Sequence, residues 1–275
     1  MSNLAERSSW QSRGLFLFTA LPVLLAPWFF GAWEGWWFWP FAVSIFAVGL
    51  CLSAAGLRLA LAAAAPAVPP PRCAAVWTAA AYLPFLTYAA ARLAQAEVYM
   101  TAERSFLLFL TPFILGLGVA FGLDARQRAL LLALLAADLL ALGAYGLINH
   151  ALTGSRFVLW VPGYAQYYEA GRASGSYFCP DHYAGLMELA FSLALAWLLA
   201  RSIERPRRVL AAALALTALA GVLASRSRGG GLTVLVTALA ALAFGLSPWP
   251  RRARRHLRLA GAAFGAGALA LVWLA

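Results

Sequence analysis

Apolar residues fill nine stretches of the chain, at roughly 14–33, 36–57, 73–91, 105–122, 129–149, 182–200, 209–224, 231–246 and 259–275, and polar residues gather in the gaps. Each stretch matches the 17 to 25 or so residues an α-helix needs to cross a hydrocarbon core. Inside a bilayer the backbone N–H groups must be bonded within their own segment, so such runs form helices. The pattern predicts an all-α fold: a polytopic transmembrane helical bundle of about nine helices, with 1–275 as a single transmembrane domain. The first run follows Arg7 and Arg13 and shows no small-residue cleavage site before the second run, which makes it a retained signal anchor.

Two connections stand apart from the others. The segment from His150 to Asp181 is some thirty residues long and rich in Gly, Tyr and Ser. Loops longer than about fifteen residues are usually functional or disordered. The turn Ser225-Arg226-Ser227-Arg228-Gly229-Gly230-Gly231, by contrast, is short and strongly polar. The proline-rich Ala65–Pro71 stretch reads as a stiff spacer.

Charge orients the bundle. All 21 basic residues are arginine, and alternate threading with the N-terminus in the cytoplasm puts fifteen of them inside and six outside, the latter Arg92, Arg104, Arg156, Arg172, Arg226 and Arg228. A chain that is 63% hydrophobic and 11% charged cannot be a soluble globule. The net charge of +11 and the basic run Arg251–Arg258 then fit an anionic inner leaflet, with no nucleic acid as partner. Trp28, Trp33 and the Gly35–Pro40 segment read as an aromatic belt at the outer headgroups. Gly116, Gly118 and Gly122, and Gly261, Gly265 and Gly267, lie in apolar runs where small residues let helices approach closely.

The chemistry gathers on the outer side. Arg172 and the Arg226/Arg228 pair fall on one membrane face although more than fifty residues separate them. Charge near a membrane core is costly and normally lines a cavity or pathway. Arg228 followed by three glycines sets a guanidinium and open backbone N–H groups at a helix N-terminus, an arrangement suited to phosphate. A planar guanidinium can grip such oxygens at two points. Arg226 either joins that site or meets lipid phosphates. Cys179, Asp181, His182 and His150 lie near the same face, but the Pro180 turn makes Asp181 a helix N-cap rather than a metal ligand. Glu188, two turns into the sixth helix, is placed to pair with Arg172 or Arg228, and Asp138 reads as a neutral or paired packing residue. Cys51, Cys73 and Cys179 have no metal or redox spacing.

RASGSYFCPDHYAGLMEL at 172–189, followed by SRSRGGGLTVLV at 225–236, resembles the O-antigen ligase and polymerase superfamily of bacterial integral membrane glycosyltransferases. In that family an Arg-x-x-Gly-[Thr/Ser]-[Phe/Tyr] segment runs into a Pro-Asn-like turn and a helix, and a later Ser-Arg-Gly opens another helix. Arg172, Gly175 and Ser176 match the first motif, and Ser227, Arg228 and Gly229 the second, with the likeness best over roughly 140–245. The resemblance implies a GT-C-like plan in the bacterial inner membrane, with the active face periplasmic. It implies that Arg172 and Arg228 hold the diphosphate of an undecaprenyl-diphosphate-linked glycan, which is passed to an acceptor such as lipid A core. A histidine on a later periplasmic loop acts in the transfer, without a metal or other cofactor. This chain departs from the pattern by having Cys179-Pro180-Asp181 in place of Asn-Pro-Asn, and by ending at Ala275 where that loop should start. Either it is a fragment of a longer protein, the reading its apolar close favours, or His182 or His150 takes the histidine's place.

The sequence thus points to a membrane glycosyltransferase. A transporter or flippase for an anionic lipid-linked glycan is the rival, and it predicts mid-bilayer charges and related repeats. A non-catalytic assembly protein would tolerate loss of both arginines. The orientation is checked by reporter fusions: alkaline phosphatase is expected to be active when fused after Ala96, Gly175 or Arg228, and inactive after Pro66 or Ser202.

Overall fold

The computed structural model describes residues 2–29, 31, 35–62, 70–158, 171–200 and 204–246. Among these residues the protein is all-helical, with no strand. Its helices are α1 (Ser2–Leu25), α2 (Gly35–Ala62), α3 (Pro70–Ala94), α4 (Tyr99–Gly122), α5 (Ala125–Thr153), α6 (Pro180–Leu198), α7 (Arg205–Ser225) and α8 (Arg228–Leu246). One compact unit runs from Met1 to Val234, and in the second, Leu235–Ala275, the described residues continue α8. The ninth apolar run, the basic run Arg251–Arg258, Gly261, Gly265 and Gly267, Trp33 and residues 63–69 lie outside the described residues.

Among the described residues four stretches are long and apolar enough to cross a membrane: Trp37–Ala54, Tyr99–Gly122, Ala125–Thr153 and Arg205–Ser225. Arg13–Leu25 and Arg228–Ala241 are shorter apolar helical segments. The chain is thus a membrane protein by length and composition, with fewer clear spans among the described residues than the apolar runs there suggest. The sixth run loses standing because α6 carries Asp181, His182 and Glu188 in its first half. The first run also overshoots. α1 stops at Leu25 and Ala26–Phe29 form a turn, since Pro27 has no N–H to continue the ladder.

Local chemistry sets the helix ends. Asp124 opens α5 with a capping box: its Oδ1 accepts from the Gln127 N–H at 2.8 Å, and Gln127 Oε1 accepts from the Asp124 N–H at 3.1 Å. Arg128 Nη1 then donates to the Ala120 and Leu123 carbonyls, satisfying the orphaned end of α4. α5 ends on Gly154 in the left-handed conformation that glycine adopts without strain.

Two packing groups follow. In the first, α2 lies against α4, and glycines set the approach: a Cβ at Gly118 would stand 2.7 Å from the Gly49 carbonyl oxygen, and one at Gly122 2.6 Å from that of Leu52. Gly118 and Gly122 therefore act as packing glycines, whereas Gly116 faces open space. Arg104, in the first turns of α4, sits over the Phe38 ring of α2 at 5.1 Å. In the second group α7 packs against both α6 and α5. Phe16 and Ala20 of α1, Leu52 of α2, Leu123 at the end of α4 and Leu131 of α5 form a buried cluster that joins the groups.

Gly118→Leu is expected to destabilise the α2–α4 contact by about 3 kcal/mol, because the backbones must separate. Gly116→Leu, on the same helix, is expected to change little. Thermal unfolding in one detergent compares the two.

Candidate functional site

The arginine-bearing loop lies across the ends of three helices. Gly171 N–H donates to the Gly154 carbonyl at the end of α5 (2.9 Å), which brings the two described arms of the long loop together at their base. Two residues on, the Ala173 N–H donates to the Ala224 carbonyl in the last turn of α7 (3.0 Å). Arg172 Nε donates to the neighbouring Ser225 carbonyl at 2.7 Å, a contact across 53 residues of sequence. The two motifs that polarity alone singled out are thus physically joined. Ser176 Oγ completes the placement by donating to the Pro27 carbonyl in the α1–α2 turn at 2.7 Å.

Tyr183 holds the end of α6 beneath this loop. It is 1% exposed, and its Oη donates to the Gly143 carbonyl of α5 at 3.0 Å. Its ring occupies a slot made by missing side chains. A Cβ would stand 2.5 Å from the tyrosine at Gly146, 2.7 Å at Gly175 and 2.8 Å at Gly221, so α5, the loop and α7 all yield to one ring. Gly175 is doubly constrained, because its φ of +57° is also one that side chains other than glycine's rarely adopt.

Arg172 finds a different ion-pair partner from the expected one. Its Nη2 bonds Asp181 Oδ1 at 2.8 Å, with the two side chains 23% and 57% exposed. The reading of Asp181 as the helix N-cap is corrected accordingly: Cys179 occupies that position without a side-chain cap bond, and Pro180, with φ preset for a helix, starts α6. Asp181 in the first turn still favours the helix dipole while its carboxylate holds Arg172. Glu188, expected to orient Arg172 or Arg228, instead sets its Oε1 3.0 Å from where a Cβ on Gly230 would stand. Ala184 and Val222 close the other sides of Gly230, so this glycine, rather than Gly229, is the close-approach position; Gly229 is exposed and open.

The α7–α8 turn is built as the glycine run suggests. Arg226 takes the left-handed conformation (φ 54°) and ends α7. Ser225 is fully buried, and its Oγ accepts from the Ser227 N–H at 3.2 Å. Ser227 caps α8, its Oγ accepting from the Gly230 N–H at 3.2 Å. Arg228 is then the first residue of α8, and both it and Arg226 are exposed. Among the described residues no ion pair involves either. The arrangement can present cations and helix N-terminal N–H groups to an anion.

The remaining candidates divide. His182 is exposed in the first turn of α6 beside Asp181, so it belongs to this end of the bundle. His150 Nδ1 lies 3.3 Å from Ser155 Oγ at the end of α5. Asp138 is paired, as expected, but with Trp28: the indole Nε1–H donates to its Oδ1 at 2.8 Å. Trp28 thereby serves as more than a belt residue, and its ring packs on Tyr145 at 5.7 Å. In the loop, burial and then the negative charge of Asp138 push the Tyr177 phenol up to about 12, so it keeps its proton at any physiological pH.

Tyr183→Ala is expected to cost about 3–5 kcal/mol, as for other large core truncations, and Tyr183→Phe only about 1 kcal/mol for the lost hydrogen bond. Thermal unfolding of the purified protein separates the two. Compared with protein-family models, curated proteins and solved structures, the chain matches none.

Proposed function

We propose that the protein is a membrane glycosyltransferase of the O-antigen ligase type, which moves a glycan from an undecaprenyl-diphosphate donor to an acceptor hydroxyl. The observation that supports it most is the bond from Arg172 to the end of α7, which draws the loop arginine onto the turn that carries Arg226, Ser227, Arg228 and Gly229. Three guanidinium groups and the N-terminus of α8 then share one end of the bundle.

That arrangement suits a reaction whose leaving group is a diphosphate. The acceptor oxygen attacks the anomeric carbon, the carbon–oxygen bond to the diphosphate breaks, and the electron pair leaves with undecaprenyl diphosphate. Preorganised cations lower this barrier by meeting charge as it develops. His182, beside Asp181 at the same end, is the candidate to receive the hydroxyl proton. Gly175 and Ser176 support the site by fitting the loop to Tyr183 and to the Pro27 carbonyl. The acceptor, such as lipid A core, and the periplasmic face of the bacterial inner membrane complete the reading.

Arg172→Ala and Arg228→Ala, made in membranes and assayed for glycan transfer from a lipid-diphosphate donor, are each expected to lose about 10²-fold or more in rate, as for removal of one preorganised charge-stabilising group. Full activity in both variants would sink the proposal. His182→Ala is expected to lose a similar factor; if it retains full rate while the arginine variants fail, another group takes the proton.

A further inference from the structure

Arg172 has two unlike edges. On one, Nε is bonded to the carbonyl of Ser225, a fully buried residue at the end of α7. On the other, Nη2 meets a single oxygen of Asp181, whose side chain is more than half exposed. Water reaches the Asp181 carboxylate freely, so this partly exposed ion pair, made through one oxygen, holds weakly. The first edge therefore fixes the guanidinium in place, and the second is exchangeable.

What can exchange there depends on charge. Asp181 is nine residues from Arg172 and set on the first turn of α6, so it stands at high effective concentration. A net-anionic phosphodiester headgroup such as phosphatidylglycerol, with one negative charge shared between two oxygens, resembles a carboxylate and gains nothing by replacing it, and the zwitterionic phosphatidylcholine, whose own choline cation offsets that charge, competes still less. A diphosphate carries more than one negative charge and can span both the freed Nη2 and the neighbouring cations. In a bilayer, where phosphodiester headgroups vastly outnumber any polyprenyl diphosphate, a site of bare arginines would fill with ordinary lipid.

We propose that Asp181 is a selectivity-determining counterion, which occupies Nη2 of Arg172 against singly charged phosphodiester headgroups and yields it to a diphosphate. Specificity here comes from a built-in competitor. The proposal rests on the diphosphate reading of the site and adds to it a residue that binds no ligand itself.

The test measures binding of labelled undecaprenyl diphosphate to the full chain in phosphatidylcholine nanodiscs, with and without added phosphatidylglycerol. Asp181→Asn keeps the shape of the side chain and removes its charge. It is expected to bind the label about two- to fivefold more tightly than wild type in discs without phosphatidylglycerol, the range of one exposed ion pair. It is also expected to lose several-fold in affinity when phosphatidylglycerol is added, while wild type and Asp181→Glu lose little. An Asp181→Asn protein as resistant to phosphatidylglycerol as wild type overturns the proposal, as does an Asp181→Glu protein that is sensitive. Should Asp181→Asn fail to fold, Asp181→Ser carries the same comparison. Arg172→Ala is run alongside: if it binds the label like wild type, the diphosphate reading itself fails, and if it binds weakly while Asp181→Asn stays resistant, only the role of Asp181 falls.

Discussion

One ring in a slot without side chains is the constraint on which this end of the protein depends. Tyr183 fits because Gly146 on α5, Gly175 in the loop and Gly221 on α7 all lack a Cβ that would strike it. In lipid there is little hydrophobic drive for helix to meet helix, so close packing and hydrogen bonds must do the work. A large aromatic set among glycines supplies the first, and its hydroxyl on the Gly143 carbonyl supplies the second. Three separate chain segments are thereby held in one register.

The placement of the charged groups follows from that register. With α6 pinned by Tyr183, Asp181 at its start comes within bonding distance of Arg172, and Ala184 and Glu188 on later turns close around Gly230 of α8. The Ser225 carbonyl, Ser225 Oγ and Ser227 Oγ then order the α7–α8 turn from beneath. Arg226 and Arg228 are thus exposed on an ordered turn and Arg172 is held through its own guanidinium, a condition that lets the three meet an anion without first collapsing onto one another.

Much of the helical layout was legible because hydropathy is a property of single segments, and each described run falls largely on a helix, the first overshooting where α1 stops at Leu25. Parity of crossing was enough to set Arg172 and Arg228 on one face, and the structure joins their segments directly. Partner choice was not legible. Asp181 and Glu188 are both acids near the start of α6, and only the three-dimensional path of the loop decides that Arg172 takes the first. Gly146 and Gly221 each look like ordinary small residues in an apolar run, since what marks them is a tyrosine far away in sequence. Trp28 was legible as amphipathic but not as a donor, because its acceptor lies 110 residues on. The glycines of α4 were half legible: Gly118 and Gly122 touch α2, and Gly116 with the same sequence surroundings touches nothing.

That long-range indole bond bears on the order in which the protein is put together. Trp28 in the turn after α1 is made early, yet the Asp138 carboxylate that accepts its N–H belongs to α5, and the Ser176 hydroxyl that bonds the adjacent Pro27 carbonyl comes later still. During synthesis the first hairpin therefore enters the bilayer with a polar group whose partner does not yet exist. Water at the headgroup layer can serve that group meanwhile, which gives the position of Trp28 near a helix end, rather than mid-span, a kinetic reason as well as a structural one.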